Sequence, residues 1–184
     1  MFRPLLILLG FVALTTPLSA QEEGERSFDA LIEEGLGLRE QGDDAAALAV
    51  FQECVELRPE SGQAIGQVAF AEMALGRLVL AEAHLIEALG FEQDDWVVRH
   101  RTALEQAQQD LNWRIATVEV LGEGHVSFVE SGQSTTRQTP VVLRLSPGRH
   151  ELHVTSPGFE SVTSVLRIEA GQRVTHIPAR RPSI

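Results

Sequence analysis

The chain has 184 residues, a formal charge of −11, one Cys, no Tyr and no Lys among its 15 basic residues. This length allows one ordinary domain or two small ones. A single Cys excludes an internal disulfide, so each folded part must rest on its own apolar core. Without Lys, a phosphate-cradling loop of the GxxxxGK[ST] kind is excluded.

The first twenty residues have the layout of a secretory signal. Arg3 precedes the apolar run Leu5–Ala13, and TTPLSA follows, ending at Ala20. The run is shorter than the ~20 residues needed to cross a bilayer. The reading is therefore a signal peptide over 1–20, cut between Ala20 and Gln21. It implies an exported protein, periplasmic or secreted, that is not an integral membrane protein after cleavage. A lipid anchor would need a Cys at the cut, and Cys54 lies far from it. Residues 21–27, QEEGERS, read as a polar, mobile leader.

Charge divides the remainder. Residues 21–112 hold 20 Asp and Glu against 6 Arg, a net of −14, whereas residues 113–184 hold 6 Glu against 8 Arg, a net of +2. The acidic half repels phosphate backbones, which argues against nucleic acid as a partner. The asymmetry also suggests two differently built modules.

In the first module, apolar and small residues recur at Leu31, Gly35 and Leu38 and again at Ala47, Leu48, Phe51 and Val55, which is helical spacing. Gln41-Gly42-Asp43-Asp44 breaks it. Asp43 or Asp44 is placed to cap the second helix, and Pro59 to stop it. The hairpin repeats after 34 residues: Gly42 falls on Gly76, Ala47 on Ala81, Phe51 on Leu85, Cys54 on Ala88, Leu31 on Ile65 and Gly35 on Ala69. A third segment, Asp94–Trp113, carries Val97, Leu104, Ala107 and Leu111 on one face, with Trp96 nearby and His100 on the same side. It reads as a solvating cap, because two hairpins alone bury too little surface.

The 34-residue period, Ala47-x₃-Phe51 and Pro59 resemble the tetratricopeptide repeat over roughly residues 28–95. Leu31 and Leu38 stand where that family has aromatics, and Gln93 stands where the second repeat would close with Pro. The resemblance implies helical hairpins over 28–113, cap included, whose first helices line a groove for an extended or helical peptide. Carried over by register, the groove positions are Asp29, Ile32, Leu36, Arg39, Glu40, Gln63, Phe70 and Met73. Ile32, Leu36, Arg39, Phe70 and Met73 are the candidate peptide-binding residues. The alternative is that they pack on the cap or on the second module.

After Trp113 the period changes to two. Ile115–Val120, His125–Val129, Val141–Leu145, His150–Thr155, Val162–Ile168 and Arg173–Ile177 alternate, divided by Gly122-Glu-Gly124, Ser131-Gly132, Ser146-Pro-Gly148, Ser156-Pro-Gly158 and Ala170-Gly171. Six short strands without an intervening helix predict a small antiparallel β-sandwich or open barrel, and the whole chain an α+β fold. The SPGR turn is expected to join 141–145 and 149–155 as a hairpin. Leu143, Leu145, Leu152 and Val154 would then face the core, and Arg144, Glu151 and His153 solvent. Thr139-Pro140, Gly148, His150, Gly158-Phe159 and Gly171 are similar to the PEGA family over roughly residues 115–178, although only Glu123 and Gly124 match its name-giving tetrapeptide. The resemblance implies a non-catalytic module of exported bacterial envelope proteins. The last residues, 179–184, read as a tail.

Nothing in the pattern points to catalysis or to a cofactor. Three histidines, His150, His153 and His176, are the best metal candidates, yet His150 and His153 differ by three in a strand and face opposite ways. Zinc needs three or four converging ligands. Glu33-Glu34 and Asp94-Asp95 read as solvated helix faces and starts. Ser131–Thr136 reads as an exposed loop, and Cys54 as inert packing. Asn112–Ile115 contains no spacer, so the modules are expected to be held in a fixed relation with Trp113 at the junction. Together these features predict a non-catalytic interaction or scaffolding component of the cell envelope with a protein or peptide partner. The alternative is a cell-wall or surface-glycan ligand for the β module, which is short of stacking aromatics.

Overall fold

The computed structural model describes residues 26–179 and 182. The expected signal peptide, leader residues 21–25 and most of the tail lie outside these. Among the described residues, five helices precede five strands, an α+β architecture. The helices are α1 (Phe28–Glu40), α2 (Asp44–Leu57), α3 (Gly62–Ala74), α4 (Leu78–Gly90) and α5 (Asp95–Arg114). The strands are β1 (Ala116–Glu130), β2 (Gln133–Leu145), β3 (Gly148–Thr155), β4 (Val162–Ile168) and β5 (Arg173–His176).

Side-chain caps fix four helix starts by accepting backbone N–H groups that have no partner within the helix. Ser27 accepts from Ala30, Asp43 from Ala46, Ser61 from Ala64, and Asp94 from both Trp96 and Val97. Ser27 and Arg26 are therefore part of the folded body, not of a free leader: Arg26 also pairs with Glu34 and Glu53. The second carboxylate oxygen of Asp94 accepts from Gly62 N at 3.0 Å, which ties the start of α5 to the start of α3.

The 34-residue register is visible in packing. Leu31 and Ile65, Gly35 and Ala69, Ala47 and Ala81, Phe51 and Leu85, and Cys54 and Ala88 are all buried. Both turn glycines, Gly42 and Gly76, take positive φ, at 79° and 74°. Gly35 lies directly against the Phe51 ring, so a Cβ there would overlap it. Shifting the pair Ile65 and Ala69 by a further 34 gives Arg99 and Ala103, and both are exposed on α5. No following helix covers them among the described residues, as the cap reading requires. The opposite face of α5 buries Trp96, Val97, Leu104, Ala107 and Leu111 against Ala69, Leu78, Ala81 and Leu85. Gly66 admits the Trp96 ring, which would stand 2.8 Å from an added Cβ.

The β half is one five-stranded sheet organised on β1. Its order is β2-β1-β3-β4, with β5 also on β1. β1 and β2 form a long antiparallel hairpin through the turn Ser131-Gly132. Gly122-Glu-Gly124 is a bulge within β1 and not a turn between strands, since the register shifts between Val120 and Gly124 while pairing resumes. The other edge of β1 is shared: His125–Ser127 pair with β3, and Thr117–Val120 pair in parallel with β5. At the changeover Gly124 lies against the Thr155 carbonyl, where no Cβ fits.

Two expectations are corrected here. Residues 141–145 and 149–155 do not form a hairpin, because β1 lies between β2 and β3 in the sheet. Tight turns favour sequential pairing, but the length of β1 gives β3 a second edge. Residues 133–136 are strand and not loop. The side-chain directions hold for Leu143, Leu145, Leu152 and Val154, which join Ala116, Val118, Val120, Val126 and Ile168 in one core. Arg144 also points away from this core, but it meets helices and not solvent, as described below.

The halves meet without a spacer. Ile115 belongs to the helical core and Ala116 to the sheet core. The turn at Gly171 crosses the end of α5, with Trp113 O 2.9 Å from the position of an added Cβ. Part of the tail is also engaged, because Pro182 bridges to Phe159.

Candidate peptide groove and other polar sites

α1 and α3 are equivalent helices, so Leu36 corresponds to Phe70 and Arg39 to Met73. Ile32 does not belong with them: it is 6% exposed and packs with Phe28, Leu31 and Phe51. It is a core residue, because its face of α1 turns toward α2. Leu36 is 38% exposed. Arg39 places its guanidinium 5.9 Å from the Phe70 ring centroid, donates from Nε to Asp44 at 3.4 Å, and reaches Gln67 Oε1 at 3.5 Å. These contacts hold Arg39 across α1 and α3. Phe70 and Met73 are half-buried, with one side on the core shared by α4 and α5. The structure thus gathers Arg39 with Phe70 and leaves Leu36 open. It also packs Phe70 and Met73 partly against the core that α3, α4 and the cap share. Of the remaining register positions, Asp29 and Glu40 are exposed and Gln63 is half-buried.

A part-buried carboxylate–histidine pair was not anticipated. Glu72 on α3, its side chain 3% exposed, accepts from His84 Nδ1 on α4 at 2.6 Å. That carboxylate hydrogen bond raises the His84 pKa against the opposing cost of burial. The signal was present: Glu72 interrupts an otherwise apolar face of α3 that contains Val68, Ala69 and Ala71. A carboxylate there must be paired. His100 is exposed and stacks on Trp96, with ring centroids 4.4 Å apart. Cys54 is buried, which pushes its thiol pKa up and leaves it poorly nucleophilic.

In the sheet, His150 and His153 do face opposite ways. His150 donates from Nε2 to Ser146 O at 2.7 Å, with Nδ1 3.8 Å from Glu130. Glu130 in turn accepts from the Ser146 hydroxyl and backbone N. This cluster pins the β2–β3 turn to the end of β1. His153 pairs with Thr163 on the outer face. Both histidines border an open cleft of about 600 Å³ with Phe128, Arg149 and Glu151. His176 is remote on β5, with Nε2 buried and unpartnered, and burial lowers its pKa. Among the described residues, no three metal-ligating side chains converge, and no helix is long and apolar enough to cross a membrane.

Arg144 projects from the outer face to which alternation assigned it, but α4 and α5 cover that face there. Nε and Nη2 donate to Glu82 on α4 at 3.0 and 2.5 Å, Nη1 to Thr117 at 2.9 Å, and Nη2 also to Asn112 on α5 at 3.1 Å. One side chain therefore ties β2 to β1, α4 and α5. No family model matches this chain, and no curated protein matches it.

Proposed function

We propose that this protein is an exported, non-catalytic interaction or scaffolding component of the bacterial cell envelope, holding a protein or peptide partner on its helical half. The observation that carries this reading is the strip formed by equivalent positions of α1 and α3. Leu36 is exposed, Arg39 lies over Phe70, and Met73 is half-buried beside them. An apolar anchor, an amphipathic aromatic–guanidinium pair and an adaptable Met suit an amphipathic peptide. Ile32, being core, has no part in it. The tetratricopeptide-like register and the PEGA-like turns support the assignment to this class, and the signal-like start supports export.

The test places a photo-crosslinking side chain at Leu36, and separately at Ile86, which is exposed on α4 away from the strip. Crosslinking in intact cells should give a discrete protein adduct from position 36 and none from position 86. Leu36→Asp should abolish capture at a third crosslinker placed at Arg39. Equal adducts from positions 36 and 86, or none from 36, would overturn the groove reading. Fractionation of the same cells tests export: the protein should leave the cytoplasm with the envelope or periplasmic contents.

A further inference from the structure

We propose that the crevice where α5 runs into the sheet is a second binding site, for an acidic sugar residue whose ring lies on the Trp113 indole and whose carboxylate meets Arg173. This site is independent of the helical strip.

The crevice encloses about 320 Å³ and is lined by Asn112, Trp113, Thr117, Arg144, Gly171 and Arg173. That volume is at the small end for ligand sites and suits one ring with its substituents. Sheet register explains how two guanidiniums come together. Thr117 of β1 stands opposite Arg144 of β2 on one side and opposite Arg173 of β5 on the other. Residues opposed in register project from the same face. The row Arg144–Thr117–Arg173 therefore points away from the core, toward the end of α5, where Asn112 and Trp113 lie.

The hydrogen-bonding inventory selects the ligand. Arg144 is neutralised by Glu82 and committed to Thr117 and Asn112. In accepting from Arg144, Asn112 uses its carbonyl oxygen and Thr117 a lone pair. The Asn112 amide N–H groups and the Thr117 O–H remain as donors. Arg173 is exposed, and among the described residues its side chain makes no hydrogen bond or ion pair, although Glu119 is next on the same face. Glu119 instead accepts from Thr175. The Trp113 indole N–H likewise has no acceptor among the described residues. The crevice thus offers donors and a positive charge, with no carboxylate in its lining. In contrast, carboxylates stand in the 600 Å³ cleft (Glu151) and in the clefts beside Arg58 (Glu60, Asp94), Arg26 (Glu53, Glu56) and Phe91 (Glu92, Asp94). In a chain of charge −11, a lining of this kind favours an acceptor-rich anion. The carbonyl end of α5 is nearby and opposes an anion, but its partial charge is smaller than that of one guanidinium.

Trp113 supplies the second half of the specificity. It is 79% exposed, the highest exposure of any large hydrophobic residue described, while the other tryptophan, Trp96, is buried and stacked. An exposed indole on the last turn of a packed helix offers its face to a ring. A bare anion would leave it unused.

The two tryptophans make the test direct. In the ¹⁵N spectrum of the purified protein, D-glucuronate should shift the Trp113 indole resonance saturably and leave that of Trp96 in place. D-glucose and inorganic phosphate should each bind at least about tenfold more weakly, since each lacks one of the two contacts. Arg173→Gln should weaken glucuronate by about tenfold or more, the scale of one charge-assisted contact, and Arg173→Lys should recover part of it. Arg173 is exposed, so its variants should keep the wild-type melting temperature. Trp113→Ala, followed by calorimetry, should weaken glucuronate to a similar extent. Equal shifts from phosphate or glucose, or unchanged binding by Arg173→Gln, would overturn the proposal.

Discussion

Arg144 and Glu82 tie the sheet to the helices. Their side chains are 29% and 13% exposed, and two N–H groups of Arg144 meet both carboxylate oxygens. A hydrogen bond to a charged group contributes about 1.5–3 kcal/mol net. Residual exposure and the ordering of two long side chains reduce this, since fully exposed pairs are worth only about 0–1 kcal/mol. A coupling of about 1.5 kcal/mol results, roughly tenfold in an equilibrium constant. Glu82→Gln, Arg144→Gln and the double variant, unfolded in urea, should yield that coupling in a double-mutant cycle. Opening at the junction should be read independently by limited proteolysis. Cleavage between residues 111 and 117 should be slow in the wild type and about tenfold faster in Glu82→Gln, if cutting follows the population of the open form. Arg101→Gln serves as a control. It breaks only an exposed 3.9 Å pair with Glu105 and should change stability by under about 0.5 kcal/mol. A coupling below about 0.3 kcal/mol, within the error of additivity, would refute the reasoning. So would rapid cleavage of the wild type at the junction.

Other outcomes follow from packing and titration. Gly35→Ala should destabilise by about 1–3 kcal/mol through overlap with Phe51, whereas Gly37→Ala, in the same helix with open space around it, should stabilise by about 0.5–1 kcal/mol; thermal melts of the pair separate sterics from propensity. Gly124→Ala should be the most damaging single-methyl addition in the sheet, because φ is +137° and the obstructing atom is backbone, and loss of cooperative unfolding by circular dichroism would register it. His84 and His176 should act in opposite directions on the stability–pH curve. His84 has its pKa raised by Glu72, so its contribution is full below the unfolded value near 6.5 and is lost as pH rises through the folded value. His176 has its pKa lowered by burial, so its penalty is absent above about 6.5 and grows as pH falls toward the folded value. Urea midpoints from pH 5 to 9 should flatten on the alkaline side in His84→Gln and on the acid side in His176→Gln; unchanged profiles would remove these assignments.

Where local pattern and solvent decide the outcome, the sequence was legible. The spacing of Leu31, Gly35, Ala47 and Phe51 placed two helices, and the 34-residue shift placed two more with the same residues buried. Asp94–Trp113 emerged as a cap whose final residue is Arg114. Strand directions at Leu143, Leu145, Leu152 and Val154 followed from alternation alone. Of the candidate groove, Leu36, Arg39, Phe70 and Met73 remain at least partly at the surface, while Ile32 does not. The difference is one of angle: Ile32 sits beside Leu31 and Gly35 on the edge of α1 that α2 covers, and a register carried over from a repeat family does not resolve that edge.

Partnership between distant segments was not legible. A turn such as SPGR specifies a reversal but not which strand the chain returns to. β1 offers an edge long enough for both β3 and β5, so β3 pairs across it and not with β2. Alternation assigns Arg144 an outward direction but cannot say that α4 will stand there with Glu82. Likewise, Glu72 could be marked as a misplaced charge, yet only the α3–α4 packing supplies His84. Trp113 was correctly placed at the junction, but its exposure beside Arg173 depends on the register of β5 on β1. The sequence by itself determined which residues turn inward, because that depends on period and hydrophobicity within one element. Tertiary structure alone decided which charges meet and which crevices open, because those depend on contacts between residues as far apart as Glu82 and Arg144.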